Sequence, residues 1–146
     1  MKLVIGCDHT AVALKQQIIQ HLNSSGIEVE DMGTQSTESS NYPEIAGDVC
    51  KAIQSGRFPL GILICGTGIG VSIVANKQKG IRCAVCSEPY SAMLSRQHND
   101  ANVLAFGARV VGPELAKMIV DAWLDATFMG ERHQTRVDMI NALDES

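Results

Sequence analysis

Short apolar runs alternate with longer amphipathic segments along the whole chain. The apolar runs are rich in Val, Ile and Leu, and their length is typical of strands that are buried on both faces. We predict five such strands, over residues 2–7, 27–31, 60–65, 81–86 and 103–106. The segments between and after them repeat apolar residues every three or four positions, which predicts helices. These helices span residues 10–22, 43–55, 71–77, 89–97, 113–126 and 131–143.

The alternation of strands and helices indicates the fold class. Buried strands that are joined by amphipathic helices predict an α/β fold with a parallel sheet covered on both faces. Ligands of such sheets bind beyond the carboxyl ends of the strands. We find no internal repeat, no low-complexity segment and no linker, so residues 1–146 are expected to form a single domain.

Composition and charge narrow the class of protein further. The chain is 45% hydrophobic and 19% charged, which is ordinary for a soluble globular protein. A net charge of -4 gives no general attraction to nucleic acid or anionic lipid, so cations and N–H groups must hold any anionic ligand locally. No apolar run is long enough to span a bilayer, and the first residues predict a strand instead of a signal peptide. Five cysteines without an export signal predict reduced thiols in the cytoplasm.

A glycine-rich loop with the sequence Cys-Gly-Thr-Gly-Ile-Gly occupies residues 65–70, between a buried strand and a helix. Its glycines let the backbone turn sharply and direct several N–H groups toward one point. The helix that begins there adds the positive end of its dipole, so the loop predicts a binding place for an anion or a developing oxyanion. A dinucleotide loop is the alternative, although the third glycine comes one residue too early and the loop follows the third strand.

Cys65 stands directly before this loop. A lone cysteine at a strand end is usually a small buried hydrophobe, but the neighbouring helix N-terminus favours the thiolate. A thiolate beside an oxyanion site can remove a proton next to a carbonyl group while N–H groups hold the enediolate. Cys83 and Cys86 lie three residues apart in a predicted strand, hence on opposite faces, and cannot easily share a metal or a disulfide. Cys7 and Cys50 are interpreted as core residues.

Two groups of polar residues lie near predicted strand ends. Asp8 and His9 follow the first strand, and the alternative to a binding role is a helix cap by Asp8 or Thr10. His98 and Asn99 stand between a predicted helix and the fifth strand, where a C-terminal helix cap is the alternative. Both groups are therefore candidates for the ligand-binding edge of the sheet.

Three arginines are candidates for binding a phosphate group. Arg132 and Arg136 lie four residues apart on one face of the last predicted helix, and two guanidinium groups on one face suit a phosphate. A solvated basic face is the alternative, and Arg109 is a further candidate with the same ambiguity. No H-x-x-x-H pair, carboxylate cluster or paired C-x-x-C motif is present, so neither a metal nor another cofactor is expected.

Taken together, these segments resemble the type B ribose-5-phosphate isomerases over essentially the whole chain. The matching segments are residues 6–9, 64–70, 86–90, 95–103, 107–109 and 132–136. The resemblance implies a Rossmann-like three-layer α/β/α fold and the interconversion of ribose 5-phosphate and ribulose 5-phosphate in the non-oxidative pentose phosphate pathway. It also implies a homodimer or homotetramer with each active site at a subunit interface, and a last helix that packs on a partner subunit.

The resemblance further assigns chemical roles to individual residues. Cys65 is the base that moves the proton between C1 and C2, and His98 helps to open the furanose ring. The enediolate is held by Thr67 and by the backbone of its neighbours Gly66, Gly68, Ile69 and Gly70. Because residues 71–74 contain no acid, the chain fits the branch of the family with a cysteine base and not the branch with a glutamate base.

The resemblance also assigns the substrate-binding residues. Asp8 binds sugar hydroxyls, and Asn99 binds near C1 and C2. The phosphate group is held by His9, Arg109, Arg132 and Arg136. Two alternatives stay open: an isomerase of a six-carbon sugar phosphate such as allose 6-phosphate, and a non-catalytic nucleotide- or phosphate-binding module in which Cys65 is structural.

Overall fold

The computed structural model describes residues 1–145 and contains a five-stranded sheet between two layers of helices. The strands are β1 (Lys2–Cys7), β2 (Glu28–Asp31), β3 (Gly61–Cys65), β4 (Cys83–Val85) and β5 (Val103–Gly107). The helices are α1 (Val12–Ser24), α2 (Tyr42–Gln54), α3 (Ile69–Asn76), α4 (Pro89–Asn99), α5 (Pro113–Asp125) and α6 (Arg132–Ala142), followed by a 3-10 turn at Leu143–Glu145. The strand order is β2-β1-β3-β5-β4, and every neighbouring pair is parallel. The predicted three-layer fold is therefore confirmed.

The predicted element bounds agree with the structure to within two residues. One difference matters for the site, because α4 continues through His98 and Asn99 instead of ending before them. The helix ends where Asp100 takes a left-handed conformation with φ of 47°, and the Asp100 carboxylate accepts a hydrogen bond of 3.0 Å from Arg96. Between residues 1 and 145, we find no helix with the length and apolar character that crossing a bilayer requires.

The apolar core consists of two layers, one on each face of the sheet. Helices α1, α4 and α5 pack on one face around the fully buried Trp123, and α2 and α3 pack on the other. Side chains alternate between the layers along each strand, so Ile64 faces α1 and α5 while Cys65 faces α2 and α3. Cys83 and Cys86 contact opposite layers, which confirms the prediction from their spacing.

The topology brings three strand ends together. Strands β1, β3 and β5 are neighbours in the middle of the sheet, so the residues that follow them share one edge. Helix α1, after β1, lies on one face, and α3, after β3, lies on the other. The chain thus leaves β1 and β3 in opposite directions, which opens a crevice at their carboxyl ends where ligands of α/β sheets commonly bind.

Candidate active site

A pocket of about 440 Å³ lies at the carboxyl ends of β1, β3 and β5. It brings together six of the residues that the sequence predicted as functional: Asp8, His9, Cys65, Gly66, Thr67 and Arg109, with Gly70 as a seventh at the start of α3. Three further residues line it that the sequence did not single out for function: Thr10, Ser40 and Tyr42. The pocket therefore joins the predicted thiol, the glycine loop and two candidate phosphate ligands.

Cys65 is 5% exposed and places its sulfur against the start of α3. The backbone N–H of Gly68 donates a hydrogen bond of 3.2 Å to Cys65 Sγ. Gly68 has a left-handed φ of 82°, and a Cβ at this position would lie 2.7 Å from the carbonyl carbon of Phe106. Only glycine fits this turn, which directs a backbone N–H group at the sulfur of Cys65.

The other four cysteines are poor candidates for a catalytic base. All five cysteines are free, and burial raises the pKa of Cys7, Cys50 and Cys86 to about 11. Burial also raises the pKa of Cys83 well above its usual range. These four thiols stay protonated at neutral pH, so they are core residues and not candidates for a base.

The glycine loop is fixed in place by the end of β5. The N–H of Ala108 donates to the carbonyl oxygen of Cys65 at 2.8 Å, and the N–H of Arg109 donates to that of Gly66 at 3.0 Å. A Cβ at Gly107 would lie 2.6 Å from Thr67 Cα, so the two backbones touch. This contact brings the side chain of Arg109 next to the loop, where it lines the pocket.

His9 is held in one orientation by the loop that precedes α2. Its N–H donates to Ser40 Oγ at 3.1 Å, and its ring nitrogen Nδ1 accepts a hydrogen bond of 3.2 Å from the Ser40 N–H. Because Nδ1 is the acceptor, a neutral His9 carries its proton on Nε2. His9 can therefore offer an Nε2–H donor to an anion.

Asp8 is 6% exposed and stabilises the turn between β1 and α1. Its Oδ1 atom accepts hydrogen bonds from the N–H of Thr10 at 2.9 Å and from the Thr10 hydroxyl at 2.6 Å. Helix α1 begins only at Val12, and its N-cap residue Ala11 makes no side-chain cap. The alternative that Asp8 or Thr10 caps the helix is therefore wrong.

Ser40 and Tyr42 come from a segment without a distinctive pattern. Residues 33–41 show no hydrophobic period, and the long polar loop is the only signal in the sequence. The Tyr42 ring lies over the glycine loop, since a Cβ at Gly70 would be 2.7 Å from its Cζ atom. Contacts of this kind join residues far apart in sequence, so local patterns do not reveal them.

Gly68 and Ile69 lie in the glycine loop at the start of α3. The other four predicted residues, His98, Asn99, Arg132 and Arg136, form a second group on α4 and α6, outside this pocket. His98 stacks on His133, with ring centroids 4.2 Å apart and an angle of 8° between the planes. Arg132 and Arg136 stand on the same helix as His133. Asn99 lines a separate cavity of about 370 Å³. Within one chain, the predicted site residues therefore lie in two separate groups.

His133 is buried beneath His98, and its Nε2 atom has no hydrogen-bond partner within residues 1–145. Burial lowers the pKa of His133, and the charges of His98, Arg132 and Arg136 lower it further, while Glu131 acts in the opposite direction. A lowered pKa keeps the imidazole neutral at neutral pH. His133 is thus a neutral ring against which His98 rests.

Comparisons with known proteins agree over nearly the whole chain. A family model described as Ribose/Galactose Isomerase matches residues 3–140. Ribose-5-phosphate isomerase B of Escherichia coli is 60% identical over 144 residues, which cover 99% of this chain and 97% of that protein. D-erythrulose-4-phosphate isomerase of Pectobacterium atrosepticum is 47% identical, and the match covers 96% of this chain and 93% of that protein.

A solved structure gives the same result for the fold. The chain superposes on ribose-5-phosphate isomerase B of Clostridium thermocellum with a TM-score of 0.97 and 52% identity. The superposition covers 99% of this chain and 98% of the other. The arrangement of strands and helices is therefore that of a solved isomerase.

Proposed function

The chain belongs to the ribose/galactose isomerase family, and we propose that it interconverts ribose 5-phosphate and ribulose 5-phosphate, with Cys65 as the base. The observation that carries this proposal is the position of the sulfur. Cys65 lines the pocket together with His9 and Arg109, and it accepts a hydrogen bond from the Gly68 N–H. A proton acceptor and two candidate phosphate ligands thus face the same space.

The reaction moves one carbon-bound hydrogen between neighbouring carbon atoms. In the open aldehyde form, the Cys65 thiolate removes the proton from C2, and the electron pair moves to O1 to give an enediolate. The Cys65 thiol then returns a proton to C1, while the hydroxyl proton of O2 passes to O1, which yields the ketose. No electron enters or leaves the substrate, so the chemistry requires no redox cofactor.

The glycine loop and Asp8 hold the sugar in this scheme. We assign the negative charge of the enediolate to the backbone of residues 66–70 and to the Thr67 hydroxyl. The Gly68 N–H is already bonded to Cys65 Sγ and the Ile69 N–H to Thr67 Oγ1, so the other N–H groups of the loop are the ones assigned to the enediolate oxygen. Thr10 occupies Oδ1 of Asp8, and we assign the Oδ2 atom to a sugar hydroxyl. His9, with its proton on Nε2, and Arg109 bind the phosphate group.

We assign the second group of residues to the active site of a neighbouring subunit. His98 removes the proton of the anomeric hydroxyl and delivers it to the ring oxygen O4, while the C1–O4 bond breaks and the C1=O1 bond forms, so the furanose opens. Asn99 binds near C1 and C2, and Arg132 and Arg136 add two cations for the phosphate. In a twofold dimer, the α4–α6 group of one chain faces the Cys65 pocket of the other, and the reverse contact is equivalent.

Exposed apolar side chains on α3, at the end of β4 and at the start of α4 support this assembly. Ile69 and Ile73 on α3 are 54% and 55% exposed, and Val85 and Tyr90 are also exposed. Apolar surface of this kind is commonly covered by a partner subunit. We propose a homodimer, or a homotetramer built from such dimers, with the last helix packed on the partner.

Three further properties belong to the same proposal. Residues 1–146 act as one isomerase domain, and the reaction proceeds without a metal ion or another cofactor. We place the protein in the cytoplasm. This inference rests on its five free cysteines, because thiols stay reduced in that compartment.

The proposed reaction is tested by adding ribose 5-phosphate to the purified protein in the presence of a metal chelator and measuring ribulose 5-phosphate. Turnover that is unaffected by the chelator supports the proposal. Nucleoside phosphates are titrated in parallel by calorimetry, because tight nucleotide binding without isomerisation would instead favour a binding module.

The shared active site is tested by mixing two variants, Cys65→Ala and His98→Asn, after dissociating and reassociating their subunits. Random reassociation of equal amounts makes half of the dimers mixed. If Cys65 and His98 of one site come from different chains, each mixed dimer has one intact site and one site that lacks both residues. Activity above that of the two separate variants should then return to about a quarter of the wild-type value. If both residues act within one chain, mixing restores nothing.

A further inference from the structure

Lys15 is a fully buried lysine that lies outside the pocket of Cys65. Its ammonium group donates hydrogen bonds of 2.9 Å to Asp31 Oδ1 and 2.8 Å to the carbonyl oxygen of Thr34. An ammonium group without solvent is unfavourable unless it is paired, and replacing such a pair by apolar residues often stabilises a protein. Stabilisation of the fold therefore does not by itself explain why Lys15 and Asp31 form a buried ion pair.

Asp31 organises the chain immediately after β2. Its Oδ1 atom also accepts a hydrogen bond of 3.0 Å from the Gly33 N–H, and its Oδ2 atom accepts one of 2.7 Å from Gln35 Nε2. The N–H of Thr34 donates to the carbonyl oxygen of Cys7 at 3.3 Å. Lys15 and Asp31 thus fix residues 31–34 beside the end of β1, directly before Asp8 and His9.

The backbone at Gly33 is in direct contact with β1. A Cβ at this position would lie 2.4 Å from the Cys7 nitrogen and 2.9 Å from Gly6 Cα. The segment cannot lie closer to the strand, so its path is set by the ion pair on one side and by β1 on the other. The rest of the 33–41 loop therefore begins from a fixed position.

The far end of the same loop enters the candidate active site. Ser40 makes the two hydrogen bonds that orient His9, and Tyr42 lies over Gly70. Residues 35–39 between the two ends are exposed. The loop is therefore a strap attached at residues 31–34 and again at residues 40–42, and only the second attachment contacts the pocket.

We propose that the Lys15–Asp31 ion pair positions the substrate-binding loop. It fixes the start of the strap, so that the Ser40 N–H stays on His9 Nδ1 and the His9 Nε2–H points to the phosphate. Lys15 is a positioning residue and does not contact substrate. This proposal rests on the proposed function, because it assigns His9 to the phosphate group of the sugar.

The test compares Lys15→Met and the double variant Lys15→Met/Asp31→Asn with a matched control, Glu30→Gln. Glu30 is the neighbour of Asp31 on β2, and it forms an exposed ion pair of 2.9 Å with Arg57. The control removes a carboxylate pair from the same strand without touching the strap. The double variant leaves no unpaired buried charge, so it separates loop positioning from a general loss of stability.

Two measurements are made on each variant. Amide hydrogen exchange at Ser40 reports directly on its bond to His9, and we expect it to accelerate at least about tenfold in both lysine variants. The KM for ribose 5-phosphate and the inhibition constant of inorganic phosphate should both rise by about tenfold, with kcat much less affected. The KM and the inhibition constant should both stay at the wild-type level in Glu30→Gln.

A purely structural role predicts a different pattern. Partial unfolding would lower the apparent kcat through the amount of active protein and leave the KM unchanged. Unchanged Ser40 exchange in a folded lysine variant would overturn the proposal, and so would failure of both lysine variants to fold. If the wild-type protein lacked isomerase activity, the proposed function would fail, but Ser40 exchange would still decide whether Lys15 holds the strap.

Discussion

The imidazole ring of His98 lies flat against that of His133, with the two centroids 4.2 Å apart. Protonation of both rings would bring two positive charges into contact, beside Arg132 and Arg136. Because burial and these cations lower the pKa of His133, the buried ring stays neutral and holds His98 in one orientation. The ring of His98, to which we assign the proton of the anomeric hydroxyl, thus rests on a neutral ring.

The first prediction concerns the titration of His133. We expect NMR to show its pKa below the ordinary histidine value, and a shift back toward that value in His98→Asn, which removes one neighbouring charge. The unfolded chain takes up this proton near pH 6.5, before the folded chain does. The stability that His133 contributes is therefore fully present above that pH and is lost as the pH falls below it. A His133 that titrates at or above the ordinary value would contradict this.

A second prediction concerns alkylation of the thiols. Iodoacetamide at neutral pH should modify Cys65 first, because burial holds the pKa of Cys7, Cys50 and Cys86 at about 11 and keeps those thiols protonated. Ribose 5-phosphate should slow both the modification and the loss of activity. Peptide mapping by mass spectrometry identifies the modified residue. Full turnover after complete modification of Cys65 would rule out its role as the base.

A third prediction concerns the contact between β5 and the glycine loop. Gly107→Ala places a Cβ 2.6 Å from the Thr67 backbone, so we expect a loss of about 1–3 kcal/mol in the free energy of unfolding, together with reduced turnover. Gly47→Ala is the control, because its Cβ meets no atom within 4 Å and its helical position favours alanine. Urea unfolding and isomerase assays measure both. Equal behaviour of the two variants would show that the contact is unimportant.

A fourth prediction concerns the length of the sugar. In a passive pocket, one additional carbon changes the discrimination between substrates by about 1–3 kcal/mol. We therefore expect the kcat/KM for ribose 5-phosphate to exceed that for allose 6-phosphate by about 10- to 200-fold. Since one relative is a D-erythrulose-4-phosphate isomerase, the assay should include that four-carbon substrate. A higher kcat/KM for the six-carbon sugar would favour the alternative substrate.

The hydrophobic pattern was sufficient to predict the fold class. The three central strands β1, β3 and β5 are buried, so their apolar runs stand out between amphipathic helices, whereas the edge strands β2 and β4 are only partly buried. Each bound was nevertheless predicted to within two residues. The end of α4 was less predictable, because a left-handed Asp100 ends the helix where glycine would be usual. The strand order depends on contacts distant in sequence, which local patterns do not contain.

The candidate site was predictable where it is local in sequence. Asp8, His9 and the glycine loop follow strands directly, and the parallel sheet brings their positions to one edge. Ser40 and Tyr42 reach the pocket through a polar loop, so their roles depend on tertiary contacts with His9 and Gly70. The stacking of His98 on His133 likewise cannot be predicted from a local sequence pattern, because it joins two helices that are separated along the chain.

The most direct test of the proposed mechanism replaces the base itself. We expect Cys65→Ala to lower kcat for ribose 5-phosphate by about 10²- to 10⁴-fold, because a general base contributes this much. Inorganic phosphate should bind as tightly as before, and Cys50→Ala, which removes a buried core thiol, should keep its turnover. Wild-type turnover by a folded Cys65→Ala protein would contradict the assignment of Cys65 as the base.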